Sequence, residues 1–176
     1  RVERSGAHVE DGQLVFAYHP HQDRFVALEK DLVPLDGVDA RVGTLFPLVE
    51  TALQVALDAG PVLEEVVLVT GLGAVGLLTS LLLRRAGARV VAIEPHADRR
   101  AVATGLGVNA VPPDAIDGIL ANAAPDGVPL LVEASGRPEV LAEGLAWLAH
   151  EGEALVVSWY GTKHVRLPLG GDFHRR

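Results

Sequence analysis

Short apolar runs alternate with stretches of helical periodicity over most of the chain. Val66–Thr70 and Arg89–Ile93 have the length and apolar character of buried strands, and the helical patterns Ala74–Ala86 and Ala97–Leu106 follow them. The alternation continues in the same order, strand then helix, through Asn109–Val111, Ile116–Ala123, Pro129–Glu133, Pro138–His150 and Glu153–Ser158. This pattern predicts an α/β fold with a doubly wound parallel sheet, strand order 3-2-1-4-5, and helices on both faces.

The first third of the chain has a different pattern. Gln13–Tyr18 and Arg24–Leu28 are extended apolar runs on either side of a polar turn, which predicts two strands. From Leu45 to Ala56 the apolar residues recur at helical spacing, and Gly60-Pro61 ends the helix. We therefore predict four parts: a partial β-rich segment, a linking helix, the α/β domain and an incomplete C-terminal segment, at residues 1–45, 46–63, 64–160 and 161–176.

Composition narrows the classes of partner. The formal net charge is −8, and phosphate backbones require a basic surface, so nucleic acid is excluded as the main partner. Cysteine is absent, which excludes disulfides and thiolate metal sites. We see neither an apolar run of membrane-spanning length nor a signal peptide, and we expect a cytoplasmic protein. The chain has no Met and begins at Arg1, so we expect it to be truncated at both ends.

A glycine-rich turn lies between the first predicted strand and helix of the α/β domain. Its residues are Gly71, Leu72, Gly73, Ala74, Val75 and Gly76. In a dinucleotide-binding Rossmann fold, the first glycine makes the tight turn, the second leaves space for the pyrophosphate, and the third lets the helix pack on the strand. Helix N–H groups then meet the phosphates. The alternative is a plain βαβ turn that binds nothing.

Glu94 ends the next strand, 18 residues after Gly76, where a carboxylate accepts hydrogen bonds from the adenosine ribose. A carboxylate at that position repels the 2′-phosphate of NADP, so NAD is favoured, although Arg99 and Arg100 could pair with that phosphate and NADP stays open. A methyltransferase also combines a glycine turn with an acidic ribose ligand. It usually has an acidic residue beside the first glycine, where this chain has Thr70.

Several stretches together resemble the zinc-type medium-chain dehydrogenase/reductases, of the alcohol and threonine dehydrogenase kind, with some likeness to bacteriochlorophyllide dehydrogenases. The matching stretches are Leu14–Phe16, His19–Asp23, Thr51–Leu53, Val69–Leu78, Val90–Glu94, Arg99-Arg100, Glu133–Gly136 and Gly152–Val157. The resemblance implies a GroES-like catalytic domain, of which residues 1–45 would be the end, followed by the Rossmann domain. It also implies an NAD(P)-dependent oxidoreductase that transfers a hydride between an alcohol or carbonyl substrate and the nicotinamide.

The resemblance adds site residues and argues against a metal. It places Thr51 near the nicotinamide, Arg99 over the adenosine ribose, and Ser135, Gly136 and Ser158 at strand ends close to the cofactor. Where many relatives have a metal ligand this chain has Phe46, whose ring cannot bind zinc. Glu50, His19 and His21 are weaker candidates, so we predict no bound metal and name no catalytic acid or base. A small-molecule substrate and a homodimer complete the expected partners, and a non-catalytic nucleotide-binding module is the alternative function.

Overall fold

The computed structural model describes residues 1–3, 6, 8–171 and 173. The chain divides into two compact units, Arg1–Pro47 and Leu48–Arg176. Helix α2, Phe46–Asp58, spans the division and buries Ala52 and Val55. No helix in the described part of the chain has the length and apolar character that a membrane crossing requires.

The first unit contains a small antiparallel sheet. Strand β1, Val15–Ala17, pairs with β2, Leu32–Pro34, and the four-residue helix α1, Ala40–Gly43, follows. The predicted strand at Arg24–Leu28 is wrong, because these residues form no ladder and Val26 is almost fully exposed. An apolar run becomes a strand only with a partner, and the partner of β1 comes from residues further along.

The second unit is built on a five-stranded parallel sheet. Its strands are β3 Val66–Thr70, β4 Arg89–Ile93, β5 Asn109–Val111, β6 Val128–Glu133 and β7 Leu148–Val156. Their spatial order is β5-β4-β3-β6-β7, which confirms the predicted order 3-2-1-4-5. Every residue of the central strand β3 is buried, as expected for a strand with neighbours on both sides and helices on both faces.

The helices cover both faces of this sheet. They are α3 Ala74–Arg85, α4 Ala97–Gly105, α5 Ile116–Ala123 and α6 Pro138–Gly144. Val67 and Val69 belong to the core cluster that contains Leu83 of α3 and Ala103 of α4. The alternate residues of β3 belong to the opposite cluster, with Ile116 and Leu120 of α5. The two-residue period of the strand thus produces two separate core layers.

The last predicted helix and strand need correction. The predicted helix Pro138–His150 ends at Gly144, a 3-10 turn follows at Leu145–Trp147, and β7 starts at Leu148 rather than Glu153. Leu148 pairs with Val128 across the sheet, with a register shift before the next pair. Pairing with β6 has therefore overridden the helical spacing.

The end of β7 is also earlier than predicted. The strand stops at Val156 instead of Ser158. The N–H groups of Val157 and Ser158 both donate to the carbonyl of Glu133, at 2.9 and 3.1 Å, so the chain leaves the ladder there. This converging pair of bonds draws the residues after β7 towards the end of β6.

Candidate functional site

The glycine turn begins directly after the central strand. Gly71 has φ +89°, a conformation that favours glycine, and its N–H donates to the carbonyl of Ile93 at 2.8 Å. A Cβ on Gly71 would lie 2.7 Å from Ser135 Cα and 2.8 Å from the Ala134 carbonyl oxygen. The turn therefore packs backbone against backbone on the loop after β6.

The other two glycines have opposite surroundings. Gly76 is buried in the first turn of α3, and a Cβ there would overlap the carbonyl oxygen of Gly71. Gly73 is the N-cap of α3, and a Cβ there would meet no atom within 4 Å. Space is thus left open at the start of a helix whose first N–H groups lack intrahelical partners, an arrangement that suits an anion.

Glu94 lies against this turn, immediately after β4. Only 1% of the residue is exposed, and its carboxylate accepts the N–H groups of Leu72 at 2.8 Å and His96 at 2.9 Å. The Arg99 guanidinium is 3.7 Å from the carboxylate oxygen that Leu72 also contacts. The predicted acidic ligand and the glycine turn are therefore in direct contact, although nothing in the sequence spacing required that hydrogen bond.

The two adjacent arginines have different surroundings. Arg100 donates through Nη1 to the carbonyls of Glu94 and Pro95, at 2.8 and 2.7 Å. Its side chain thereby holds the turn that carries Glu94. The Arg99 side chain is about half exposed and pairs with the Glu94 carboxylate. Of the two cations, Arg99 is the one available to a ligand.

A shallow cleft of about 240 Å³ borders the turn. The residues around it come from the glycine turn and from one side of α3 and α4, and they are Leu72, Gly73, Ala74, Leu77, Asp98, Arg99 and Val102. Val102 is 57% exposed, so the cleft has an apolar wall open to solvent. The apolar wall and the open helix N-terminus suit a flat nucleotide with a phosphate group, and the cleft holds one cation, Arg99, and one carboxylate, Asp98.

Further predicted residues lie at the other side of β3. Ser135 and Gly136 form the loop after β6, and the Ser158 hydroxyl accepts the Gly136 N–H at 2.7 Å. These three residues are partly buried at the carboxyl ends of the strands, where open α/β sheets bind ligands. Thr51 lies exposed on α2. The structure tests none of their proposed contacts with a cofactor, which stay predictions.

Two residues escaped the sequence reasoning as members of this site. Glu133 is completely buried at the end of β6, and Tyr160 donates its hydroxyl to the Glu133 carboxylate. Burial, with this hydrogen bond as a second cause, raises the pKa of Tyr160 well above its ordinary value. A carboxylate that ends an otherwise apolar strand is the signal that singled out Glu94, and it could have singled out Glu133 as well.

The described residues do not fit a zinc ion. They contain no group of three His, Cys, Asp or Glu side chains placed to hold a metal. Phe46 packs its ring on Phe16 with centroids 4.7 Å apart, and His19 stacks on Phe25 at 3.9 Å. Phe46, where the resemblance implies a metal ligand, thus makes an aromatic contact instead. The absence of a metal from the whole protein stays a prediction.

Comparison with known proteins identifies the family. Residues 74–174 match the family model described as zinc-binding dehydrogenase, which covers more than half of the chain. The chain belongs to this family, which confirms the resemblance inferred from its motifs.

Several relatives are named for dehydrogenase activities. The chain is 31% identical to L-threonine 3-dehydrogenase of Saccharopolyspora erythraea over 152 residues, which cover 84% of this chain and 42% of that protein. It is 27% identical to 2R,3R-butanediol dehydrogenase from Bacillus subtilis, with a TM-score of 0.70 over 82% of this chain and 43% of the other.

A third comparison includes a cofactor. A structure from Sinorhizobium meliloti, described as a putative zinc-binding dehydrogenase bound to NADP, is 25% identical, with a TM-score of 0.70 over 82% of this chain and 45% of that one. The chain thus spans less than half the length of each of these three relatives.

Proposed function

We propose that this chain provides the cofactor-binding part of an NAD(P)-dependent oxidoreductase that transfers a hydride between an alcohol or carbonyl substrate and the nicotinamide. The observation that carries the proposal is the open space at Gly73 beside the buried carboxylate of Glu94. Membership of the zinc-binding dehydrogenase family supports it, as do the names of the relatives.

Each part of the dinucleotide has a counterpart on this surface. The pyrophosphate would lie over Gly73 and the N–H groups of Ala74 and Val75, with Leu72 and Gly76 shaping the turn. The adenosine ribose would donate its hydroxyls to Glu94 once the half-exposed Arg99 side chain moves away from the carboxylate, and the adenine would rest in the cleft that Arg99 borders. The bound nicotinamide supplies the hydride donor or acceptor, and the chain's part is to position it. Gly71 has no Cβ, which lets the glycine turn pack against the backbone of the loop after β6.

The nicotinamide half would extend to the opposite side of β3, where Ser135, Gly136 and Ser158 lie. We propose that Thr51 also faces this half of the cofactor. No step is assigned to a metal, because the described residues do not fit one.

The surroundings of Glu94 favour NAD over NADP. A 2′-phosphate would approach a buried carboxylate, and Arg100 is already bonded to two backbone carbonyls. Of the two arginines, Arg99 alone would have to offset the repulsion between the 2′-phosphate and the Glu94 carboxylate. Its guanidinium already lies 3.7 Å from that carboxylate. The Sinorhizobium meliloti protein is described as bound to NADP, so a titration has to compare NADP with NAD.

The test is calorimetric titration of the chain with NAD and NADP. Gly73→Val places a branched side chain where the pyrophosphate would lie, and we expect the affinity for NAD to fall at least about tenfold, or 1.4 kcal/mol. Gly118→Val on α5 is the matched control, because that glycine also has no atom within 4 Å of an added Cβ and lies away from the turn. Equal affinities of the two variants would refute the assignment.

A non-catalytic nucleotide-binding module is the second candidate, favoured by the contact of Phe46 with Phe16 in place of a metal ligand. The two functions differ in turnover. Production of NADH from NAD with threonine or 2,3-butanediol, substrates suggested by the relatives' names, would support the enzyme. Binding of NAD without turnover of any alcohol in a broad panel would support the module. A homodimer and a cytoplasmic location are further expectations.

A further inference from the structure

A buried carboxyl group lies where the winding of the sheet reverses. Glu133 is 0% exposed, ends β6, and pairs in register with Thr70, the last residue of β3. From β3 the chain winds outward through β4 and β5, and α5 then returns it to β6 on the other side. Open α/β sheets bind their ligands at this reversal point. A carboxylate buried there is costly unless hydrogen bonds compensate for the lost water.

Four donors converge on this carboxylate. The Ser135 N–H donates to Oε1 at 2.8 Å, and the hydroxyls of Thr70, at 3.4 Å, and of Ser135 donate to the same oxygen. The Tyr160 hydroxyl donates to Oε2. These partners are neutral, and each gives a hydrogen to a group that accepts through both oxygens when ionised. The cluster therefore satisfies both oxygens of the carboxyl group that is buried at the end of the sheet.

The same bonds join segments that are far apart in sequence. Ser135 lies in the loop after β6, which abuts the glycine turn at Gly71. Tyr160 belongs to the segment after β7, and Lys163 of that segment donates to the Gly136 carbonyl at 3.3 Å. Loss of an acceptor oxygen of Glu133 would loosen both segments at once.

We propose that Glu133 is a positioning residue: it holds the loops after β6 and β7 in the arrangement that receives the nicotinamide half of the cofactor. The inference rests on the proposed function. Glu94, on the β4 side of β3, would bind the adenosine half, and Gly73 would face the pyrophosphate. The remaining half of the dinucleotide then extends towards β6, over the two segments that Glu133 ties together.

The experiment compares NAD with ADP-ribose, which lacks the nicotinamide. Glu133→Gln keeps the size of the side chain and removes its charge. We expect the affinity for NAD to fall about tenfold, as for the loss of charge-assisted hydrogen bonds, and the affinity for ADP-ribose to stay within about twofold. Glu143→Gln, at an exposed carboxylate on α6, is the matched control and should leave both affinities unchanged.

Tyr160→Phe provides a second variant in case Glu133→Gln does not fold. It removes one donor from the cluster and keeps the carboxylate. The affinity for NAD should therefore fall selectively, by a smaller factor than in Glu133→Gln. Trp159 is next to Tyr160 and 90% exposed. In a Trp147→Phe variant it is the remaining tryptophan, so its fluorescence emission follows changes in the segment after β7. We expect its emission to change on addition of NAD and not of ADP-ribose.

The outcomes separate the two proposals. Selective loss of NAD affinity in either variant supports the role of Glu133. Equal loss of NAD and ADP-ribose affinity, or no loss of either, shows that Glu133 serves the fold alone and overturns the inference while the proposed function stands. Failure of the parent chain to bind both ligands refutes the proposed function and the inference together.

Discussion

Substitution of Gly76 by alanine tests the packing of α3 on the glycine turn. The added Cβ would overlap the carbonyl oxygen of Gly71 and lie 3.3 Å from the Ala134 Cβ. Gly71 cannot retreat, because its N–H is bonded to Ile93 and its own Cβ direction is blocked by Ser135. The helix must therefore move away from the sheet.

The expected cost follows from two opposing effects. Alanine favours a helix over glycine by about 1 kcal/mol, whereas overpacking in a close-packed core costs about 1–3 kcal/mol and more when backbone atoms clash. The obstacle at Gly76 is backbone, so we take the upper end of that range and expect a net loss of about 2 kcal/mol. That loss corresponds to a fall of roughly 4–8 °C in Tm for a chain of this length.

The assay is urea or thermal unfolding of the parent chain and two variants. Gly118→Ala is the control, because that glycine lies in α5 with open space around an added Cβ. It should stabilise the protein by about 0.5–1 kcal/mol, so the two variants are expected to shift stability in opposite directions. A Gly76→Ala protein as stable as the Gly118→Ala protein would show that the turn and helix yield easily, and the reasoning would be wrong.

Two further predictions concern the charged groups. Glu94→Ser should weaken the binding of NAD by about 1.5–3 kcal/mol and raise the affinity for NADP relative to that for NAD. Paired titrations of parent and variant at one salt concentration check this, and a parent that already prefers NADP contradicts it. The raised pKa of Tyr160 keeps the folded phenol neutral while the unfolded one ionises near pH 10, so this stabilisation is lost as pH rises above about 10. The stability of Tyr160→Phe should therefore decline less steeply with alkaline pH, and parallel curves would count against it.

Strand order and the position of the glycine turn were predictable because they depend on local patterns. Alternating apolar runs and helical periods define a βαβ series, and right-handed crossovers leave few ways to wind it. Gly71, Gly73 and Gly76 fit a motif whose spacing reflects the geometry of one turn. In the structure an added Cβ would be blocked at Gly71 and Gly76 and would meet no atom within 4 Å at Gly73, and the cofactor contacts expected of the three glycines stay predictions.

The last helix and strand of the sheet were harder to predict. Pro138–His150 has apolar residues at helical spacing, yet the helix ends at Gly144 and the chain turns into β7 at Leu148. Pairing with β6 decides this boundary, and β6 is distant in sequence. Arg24–Leu28 shows the converse, because its apolar residues pair with no strand in the part of the chain that the structure describes. A strand needs a partner, and periodicity alone does not supply one.

At the candidate site, too, the sequence predicted some features and the tertiary structure decided others. Sequence alone predicted the glycine turn, the acidic residue Glu94 and the family to which the chain belongs. Only the tertiary structure showed that Arg100 is bonded to the backbone while Arg99 pairs with Glu94, because adjacent residues on a helix point in different directions. Only the tertiary structure brought Glu133, Ser135 and Tyr160 together, since a hydrogen-bonded cluster depends on where separate loops meet.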